Sequence, residues 1–331
     1  MPASRLSSPL RFNEIYVEKI WGGRSLEDVF RKQLPPGKQI GESWEISAYR
    51  DRVSKVREGG LAGAPIDLLY RDYPGDLVGS SVGDSFPILV KFIDACDTLS
   101  VQVHPDDDYA SRVPGADPKT EFWYVCRATG DARIYKGLLP GVQKKDLAEA
   151  LEEDRVSELL YSFNPSVGDV VYVSPGTIHA LGAGVVVLEV QQSSDTTYRL
   201  YDWGRTGNDG KPRELHIEHS LAAARFDGVA RGPEAVGEIQ EGENWERRQV
   251  LSCPLFNAYA WELSGDKKIR DDGGRMTVLS VLSGSGKIEG EYGETLDVRP
   301  GDNVLLPASM RDCWLGGDPE IVVVETQYSE V

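Results

Sequence analysis

Three short segments of this 331-residue chain carry side chains able to hold a metal ion: Val101-Gln102-Val103-His104-Pro105-Asp106, Lys119-Thr120-Glu121, and Pro175-Gly176-Thr177-Ile178-His179. The chain has only 4 histidines, so two in such settings are a large share. Two imidazoles and a carboxylate suit a divalent zinc-like or iron-like ion with positions left open for substrate. Gln102 offers an amide oxygen, an unusual zinc ligand, and is the weakest member of the set.

Ligands this far apart in sequence need a scaffold that brings them together. Gln102 and His104 are two residues apart in a β-type stretch, so both side chains leave one strand face. Glu121 opens the strand-like run to Arg127, and His179 follows a Pro-Gly turn. Further strands are predicted at Ser43–Ala48, Phe86–Ile93, Leu99–His104, Ala132–Tyr135, Val170–Val173 and Val185–Gln191. Helices are predicted at residues 25–32 with Ser25 as N-cap, within 61–79 broken at Pro74-Gly75, over Lys144–Leu160, and over 214–226. The Gly- and Glu-rich stretch 227–248 reads as a linker.

A weak internal repeat adds to this. Gly168-Asp169-Val170-Val171-Tyr172-Val173-Ser174-Pro175 resembles Pro300-Gly301-Asp302-Asn303-Val304-Leu305-Leu306-Pro307, and Val125–Ile134 resembles Val281–Ile288. In each copy a Gly-Asp turn leads into a strand stopped by Pro, the order of a small jelly-roll barrel. It resembles the cupin pattern. The expected fold is therefore mainly β: two cupin-like jelly-roll β-barrels with a few short helices. Residues 1–226 would form the metal-binding catalytic domain, and residues 249–331 a degenerate domain without ligands, with Arg311 near where His179 stands in the first copy.

Composition narrows the function classes. The net charge of -17 speaks against nucleic-acid binding. It leaves room for a small anionic substrate, because charges beyond roughly 8 Å are screened at physiological salt. The 4 cysteines are widely spaced and form no C-x-x-C pair. No run approaches the length of a membrane span or a signal peptide. A soluble cytoplasmic protein is expected, with no membrane partner and an undetermined oligomeric state.

Other residues have two readings each. Glu189 ends the apolar run Val185–Leu188, as an acid or base with a shifted pKa or as a salt-bridge partner of Arg199 or a lysine. Arg199 could pair with Asp195. Lys91 lies between two apolar runs and Lys119 two residues before Glu121; each faces the interior or snorkels to solvent. Asp106, Asp107 and Asp108 suit a helix N-terminus. His216 and His219 suit an ordinary helical surface.

Taken in order, the segments resemble type I mannose-6-phosphate isomerases of the short bacterial form. The resemblance rests on Lys19-Ile20-Trp21-Gly22-Gly23, Gly41-Glu42-Ser43-Trp44-Glu45-Ile46-Ser47, Leu99–Asp106, Lys119–Tyr124, Pro175–Gly182 and Ser194-Asp195-Thr196-Thr197-Tyr198-Arg199. It implies a metal-dependent aldose–ketose isomerase that interconverts mannose 6-phosphate and fructose 6-phosphate through a cis-enediolate, with one Zn2+ per chain. It places the ligands at Gln102, His104, Glu121 and His179, catalytic roles at Arg199, Glu189 and Lys119, and substrate contacts at Lys91, Asp195 and Trp21. Thr196 departs from the Asn of larger members, and their large helical insertion is missing. Phosphate contacts stay unassigned, with Arg133 and Lys136 as candidates. The competing readings are a non-haem iron oxygenase and a non-catalytic sugar-binding cupin.

Overall fold

Strands dominate the computed structural model, which describes residues 6–79, 84–207, 210–228, 231–270 and 274–329. Among the described residues the first half builds a small two-stranded sheet, Ala48–Tyr49 with Arg52–Val53, and two large antiparallel ones. One runs, in spatial order, Val170–Val173, Glu121–Ala128, Val185–Gln192, Ile88–Ala95, Ile40–Ile46 and Ile15–Gly23. The other runs Leu160–Phe163, Ile134–Leu138, His179–Leu181, Val101–Val103 and Tyr198–Tyr201. The mainly-β expectation with few short helices holds. The sheets are open, each ending on edge strands.

Side-chain alternation along these strands sets what faces what. In the six-stranded sheet, Phe122, Tyr124, Leu188, Val190, Val90 and Phe92 point into one apolar cluster. Their neighbours Trp123, Val125, Val187 and Ile93 point the other way, into a second cluster shared with Ile134 and Leu181 of the five-stranded sheet. Glu121, Glu189 and Lys91 fall on this second face. In the five-stranded sheet Val101, Val103, Tyr198 and Leu200 pack outward against helical segments, which leaves Gln102 and Arg199 on the inner face. The polar residues thus occupy the space between the two sheets.

The last third forms an eight-stranded sheet dominated by Phe256–Arg270, Thr277–Gly290 and Cys313–Tyr328. Its edge strand is Leu10–Arg11 from the start of the chain, paired with Asn303–Leu306. The first apolar cluster also crosses between the halves, with Phe92, Phe122 and Leu188 meeting Phe256, Val278 and Val324. Ile239–Gly242 and Trp245–Ser252 pair as a hairpin over much of the stretch 227–248. Among the described residues no helix is long and apolar enough to cross a membrane.

Several element ends differ from expectation. Arg24, not Ser25, holds the N-cap position of the Ser25–Phe30 helix, and the Ser25 N–H is donated to Asp94 Oδ2 at 2.6 Å. The Lys144 helix stops at Glu152; Asp154 takes a left-handed φ of 56° and the chain resumes as a 3-10 turn, Val156–Leu159. The last helix is only Ile217–Ala223, with His216 at its cap position. The helix expected within 61–79 is two, Ile66–Asp72 and Pro74–Val78, interrupted at Tyr73.

Candidate metal centre

His179 and Gln102 are direct partners across adjacent strands, and Arg199 sits opposite Gln102 on the other side. Glu121 reaches them from the facing sheet. The nitrogens of His104 and His179 and the carboxylate of Glu121 all lie within 4.8 Å of one another, and the three residues are buried. His104 Nε2 is 3.4 Å from one Glu121 oxygen and His179 Nε2 is 3.4 Å from the other.

The hydrogen bonds behind the rings decide which nitrogens are free. His104 donates its Nδ1–H to the Thr196 carbonyl, and His179 donates its Nδ1–H to the Thr177 carbonyl, both at 2.9 Å. Each bond fixes the tautomer and leaves a lone pair on Nε2, aimed at the centre. Burial and the Lys119 ammonium outweigh the pull of Glu121 and push the His104 pKa down to about 4. Burial likewise lowers that of His179. Burial raises the Glu121 pKa, but the Lys119 ammonium, 2.9 Å away, overcomes it and holds the carboxyl well below its ordinary range. Two neutral imidazoles and one carboxylate are the protonation states of a metal-ligand set.

The fit to a divalent ion rests on unpaired atoms. His104 Nε2 and Glu121 Oε1 are buried without a hydrogen-bond partner, while Glu121 Oε2 faces the Lys119 ammonium at 2.9 Å. Such groups are expensive in an apolar interior, and a cation between them removes the penalty. Gln102 directs its amide nitrogen at His179 Nε2, 3.3 Å away. Turning the amide over would present its oxygen at the same place. His216 and His219 stand apart from the centre. His216 Nδ1 accepts the Arg199 backbone N–H at 3.2 Å, and His219 is hydrogen-bonded to the Tyr109 hydroxyl at 2.8 Å.

A cleft of about 240 Å³ opens beside the centre, and Trp21, Lys91, Gln102, Lys119, Glu189, Asp195 and Arg199 all line it. Lys91 Nζ is 2.8 Å from Glu189 Oε1, Trp123 donates its indole N–H to Glu189 Oε2 at 2.7 Å, and Lys119 Nζ is 4.0 Å from Glu189 Oε1. The interior salt bridge of Glu189 is therefore with a lysine. Arg199 donates instead to the Glu214 carbonyl at 2.7 Å. Burial works against the Lys91 charge, but Glu189 and Glu42 raise its pKa above the ordinary value. Arg133 and Lys136 lie outside the cleft: Lys136 is tied to Glu234 at 2.6 Å and Arg133 reaches Ser162. Lys19, Glu42 and Arg213, which sequence reasoning left out of the site, line it instead. Lys19 had a signal, two residues before Trp21 on one strand; Arg213 lies in a loop and had none.

The back of the cleft depends on two glycines in facing strands. A Cβ on Gly22 would stand 2.4 Å from the Gly41 nitrogen, and one on Gly41 would stand 2.6 Å from the Trp21 ring. Only glycine lets these backbones approach and Trp21 turn inward.

Comparison with known proteins gives concordant matches. Residues 10–120 match the family described as phosphomannose isomerase type I, catalytic domain, and residues 247–326 match the mannose-6-phosphate isomerase cupin domain. The chain is 38% identical over 317 residues to mannose-6-phosphate isomerase of Streptococcus mutans, covering 96% of this chain and 98% of that one. It is 36% identical over 321 residues to the probable mannose-6-phosphate isomerase GmuF of Bacillus subtilis, covering 96% and 99%. Among solved structures, the mannose 6-phosphate isomerase from Bacillus subtilis superposes with a TM-score of 0.88 at 32% identity, over 96% of this chain and 99% of that one.

Proposed function

The chain belongs to the type I phosphomannose isomerase family, and from that premise we propose how its cleft works as the active site of a metal-dependent isomerase. The activity is aldose–ketose isomerisation between mannose 6-phosphate and fructose 6-phosphate. In our reading the enzyme works in the cytoplasm with one zinc ion per chain, on a scaffold of two cupin-like jelly-roll barrels. His104, Glu121 and His179 hold the ion, and Gln102 completes the set through its amide oxygen. The single observation that carries this is the buried convergence of His104, Glu121 and His179 within 4.8 Å, with His104 Nε2 and Glu121 Oε1 lacking a hydrogen-bond partner. A divalent ion there supplies Lewis-acid stabilisation of negative charge on oxygen.

The rest of the chemistry falls to the chain's own residues. Isomerisation moves one proton from C2 of the open-chain aldose to C1. Glu189 takes the C2 proton; the C–H electron pair forms the C1–C2 double bond, and the carbonyl π pair goes to O1. Lys119 gives a proton to O1 and takes one from O2, so the enediol returns to a carbonyl at C2. Glu189 then delivers its proton to C1. Lys91 and Trp123 hold the Glu189 carboxylate in place through both its oxygens. Arg199 adds a fixed positive charge where the oxyanion develops. Trp21 and Asp195 contact the sugar. Lys19 and Arg213 are the candidates for the phosphate, because they line the cleft where Arg133 and Lys136 do not, with Lys19 also paired to Glu42 at 3.1 Å and Arg213 to Asp202 at 2.7 Å.

A coupled assay on mannose 6-phosphate, with metal quantified in the same sample, tests the reading. Chelation abolishes turnover and zinc restores it at one equivalent per chain. Full activity in metal-free protein would refute the role of the centre.

A further inference from the structure

A second cavity, of about 520 Å³, lies in the C-terminal sheet, and no described residue that lines it lines the first cleft. Its volume is in the range of small-molecule sites, roughly 300–1,000 Å³. Trp245, Trp261, Arg247, Lys267, Arg270 and Glu325 shape it. Among the described lining residues, lysines and arginines outnumber carboxylates five to one. That is a local reversal in a chain of net charge -17, and a concave cationic wall concentrates anions whatever the distant surface charge.

The wall is built around a buried acid. Glu325 is 3% exposed. Its Oε2 accepts the Trp261 indole N–H at 2.7 Å and the Arg247 guanidinium at 3.1 and 3.2 Å, and its Oε1 accepts from Gln327 at 2.7 Å. The first cleft has the same grouping, in which Glu189 takes the Trp123 indole N–H at 2.7 Å and Lys91 at 2.8 Å. Both glutamates sit on a strand hydrogen-bonded on each side, Val185–Gln192 in one half and Cys313–Tyr328 in the other. A strand acid, an indole and a cation thus recur in both halves, the cation buried in the first and partly exposed in the second. Histidine is missing among the described lining residues of the second cavity. Trp245 and Trp261 stand with ring centroids 5.7 Å apart, and Lys267 Nζ lies 4.0 Å from the Trp245 centroid. Indole faces stack on the C–H faces of sugars, and ammonium and guanidinium groups take phosphate.

We propose that this cavity is a second, metal-free site that binds a phosphorylated sugar without transforming it. The choice of ligand rests on reading the first cleft as a sugar-phosphate site. Calorimetric titration of the zinc-loaded full chain with mannitol 6-phosphate tests it, since this sugar alcohol has no carbonyl to isomerise. Two equivalents bind the native chain; Lys267→Glu removes one and Arg199→Ala removes the other. Lys267→Ala repeats the measurement with a milder change, and circular dichroism establishes that each variant is folded. Inorganic phosphate binds the Lys267-dependent site at least tenfold more weakly; equal binding would overturn sugar recognition. One equivalent that Arg199→Ala removes and Lys267→Glu leaves intact would overturn this proposal while the first cleft stands. One equivalent that only Lys267→Glu removes would support it and overturn the reading of the first cleft. No binding at all would overturn both.

Discussion

Replacing Lys91 by methionine removes a cation from nearly dry surroundings. Its side chain is 4% exposed and that of its partner Glu189 is 3%. At 2.8 Å and an effective dielectric constant near 20, their attraction is about 6 kcal/mol before desolvation is subtracted. Removing one member of a buried pair typically costs about 3–5 kcal/mol, because the other is left uncompensated. Glu189 is only partly abandoned here. Lys119 stays at 4.0 Å and the Trp123 N–H still donates to it. The expected loss for Lys91→Met is therefore at the lower end, about 3 kcal/mol. Glu189→Gln keeps the shape and strands Lys91 beside Glu42, for a loss of similar size. The double variant loses less than the sum of the two, with a coupling of about 2 kcal/mol. Urea unfolding of the four proteins, in buffer with saturating zinc, measures the cycle at constant m. Single losses under about 1 kcal/mol, or strict additivity, would show that this pair holds nothing in place.

Arg199→Ala lowers kcat by about a hundredfold or more, the usual loss for one oxyanion-stabilising group, while zinc content stays at the native level; an unchanged kcat would remove Arg199 from the mechanism. Burial pushes the Glu42 pKa up, but Lys91 and Lys19 override it and bring the value to about 2 from an ordinary 4.5. Its folded value is the lower one, so its contribution to stability is full above pH 4.5 and is lost as pH falls toward about 2. Lys91→Met shifts that loss to higher pH, so the gap between variant and native chain in urea unfolding should differ between pH 3 and pH 7; a constant gap would contradict the assigned cause.

That Gln102, His104, Glu121 and His179 converge was readable because each sits at a point where local pattern fixes direction. Gln102 lies between two valines that must face a core, so its side chain had to face the other way. Glu121 and Trp123 share one strand parity, and so do Val187 and Glu189. What the pattern could not supply was register. Glu189 lies directly opposite both Trp123 and Lys91, and this pairing depends on how three remote strands align. Glu42 was lost for the same reason: it sits in a fully buried strand where no alternation separates cleft from core. Helix ends failed for a local reason. The apolar spacing of Lys144–Leu160 persists through Val156, which is buried from a 3-10 turn as readily as from an α-helix, so periodicity ran on past the break at Asp154.

The charges around the centre explain why so many are buried together. A lysine alone in this interior would lose its proton, since burial disfavours the ammonium form. Glu189 and Glu42 prevent that for Lys91. The carboxylates thus keep the lysines charged, at the expense of nearly cancelling them. Among the described residues, five cationic side chains line the first cleft, against Glu42, Glu189 and Asp195, with Glu121 directly behind Lys119. That near balance attracts a phosphate of about -2 charge only weakly. A divalent ion at His104, Glu121 and His179 would tip it strongly positive without adding another buried side-chain charge to desolvate. On this argument metal loading should strengthen binding of the phosphate end of the substrate as well as polarise its carbonyl. The two effects separate in a titration with mannitol 6-phosphate, where affinity at the Arg199-dependent site should fall on chelation although no carbonyl is present.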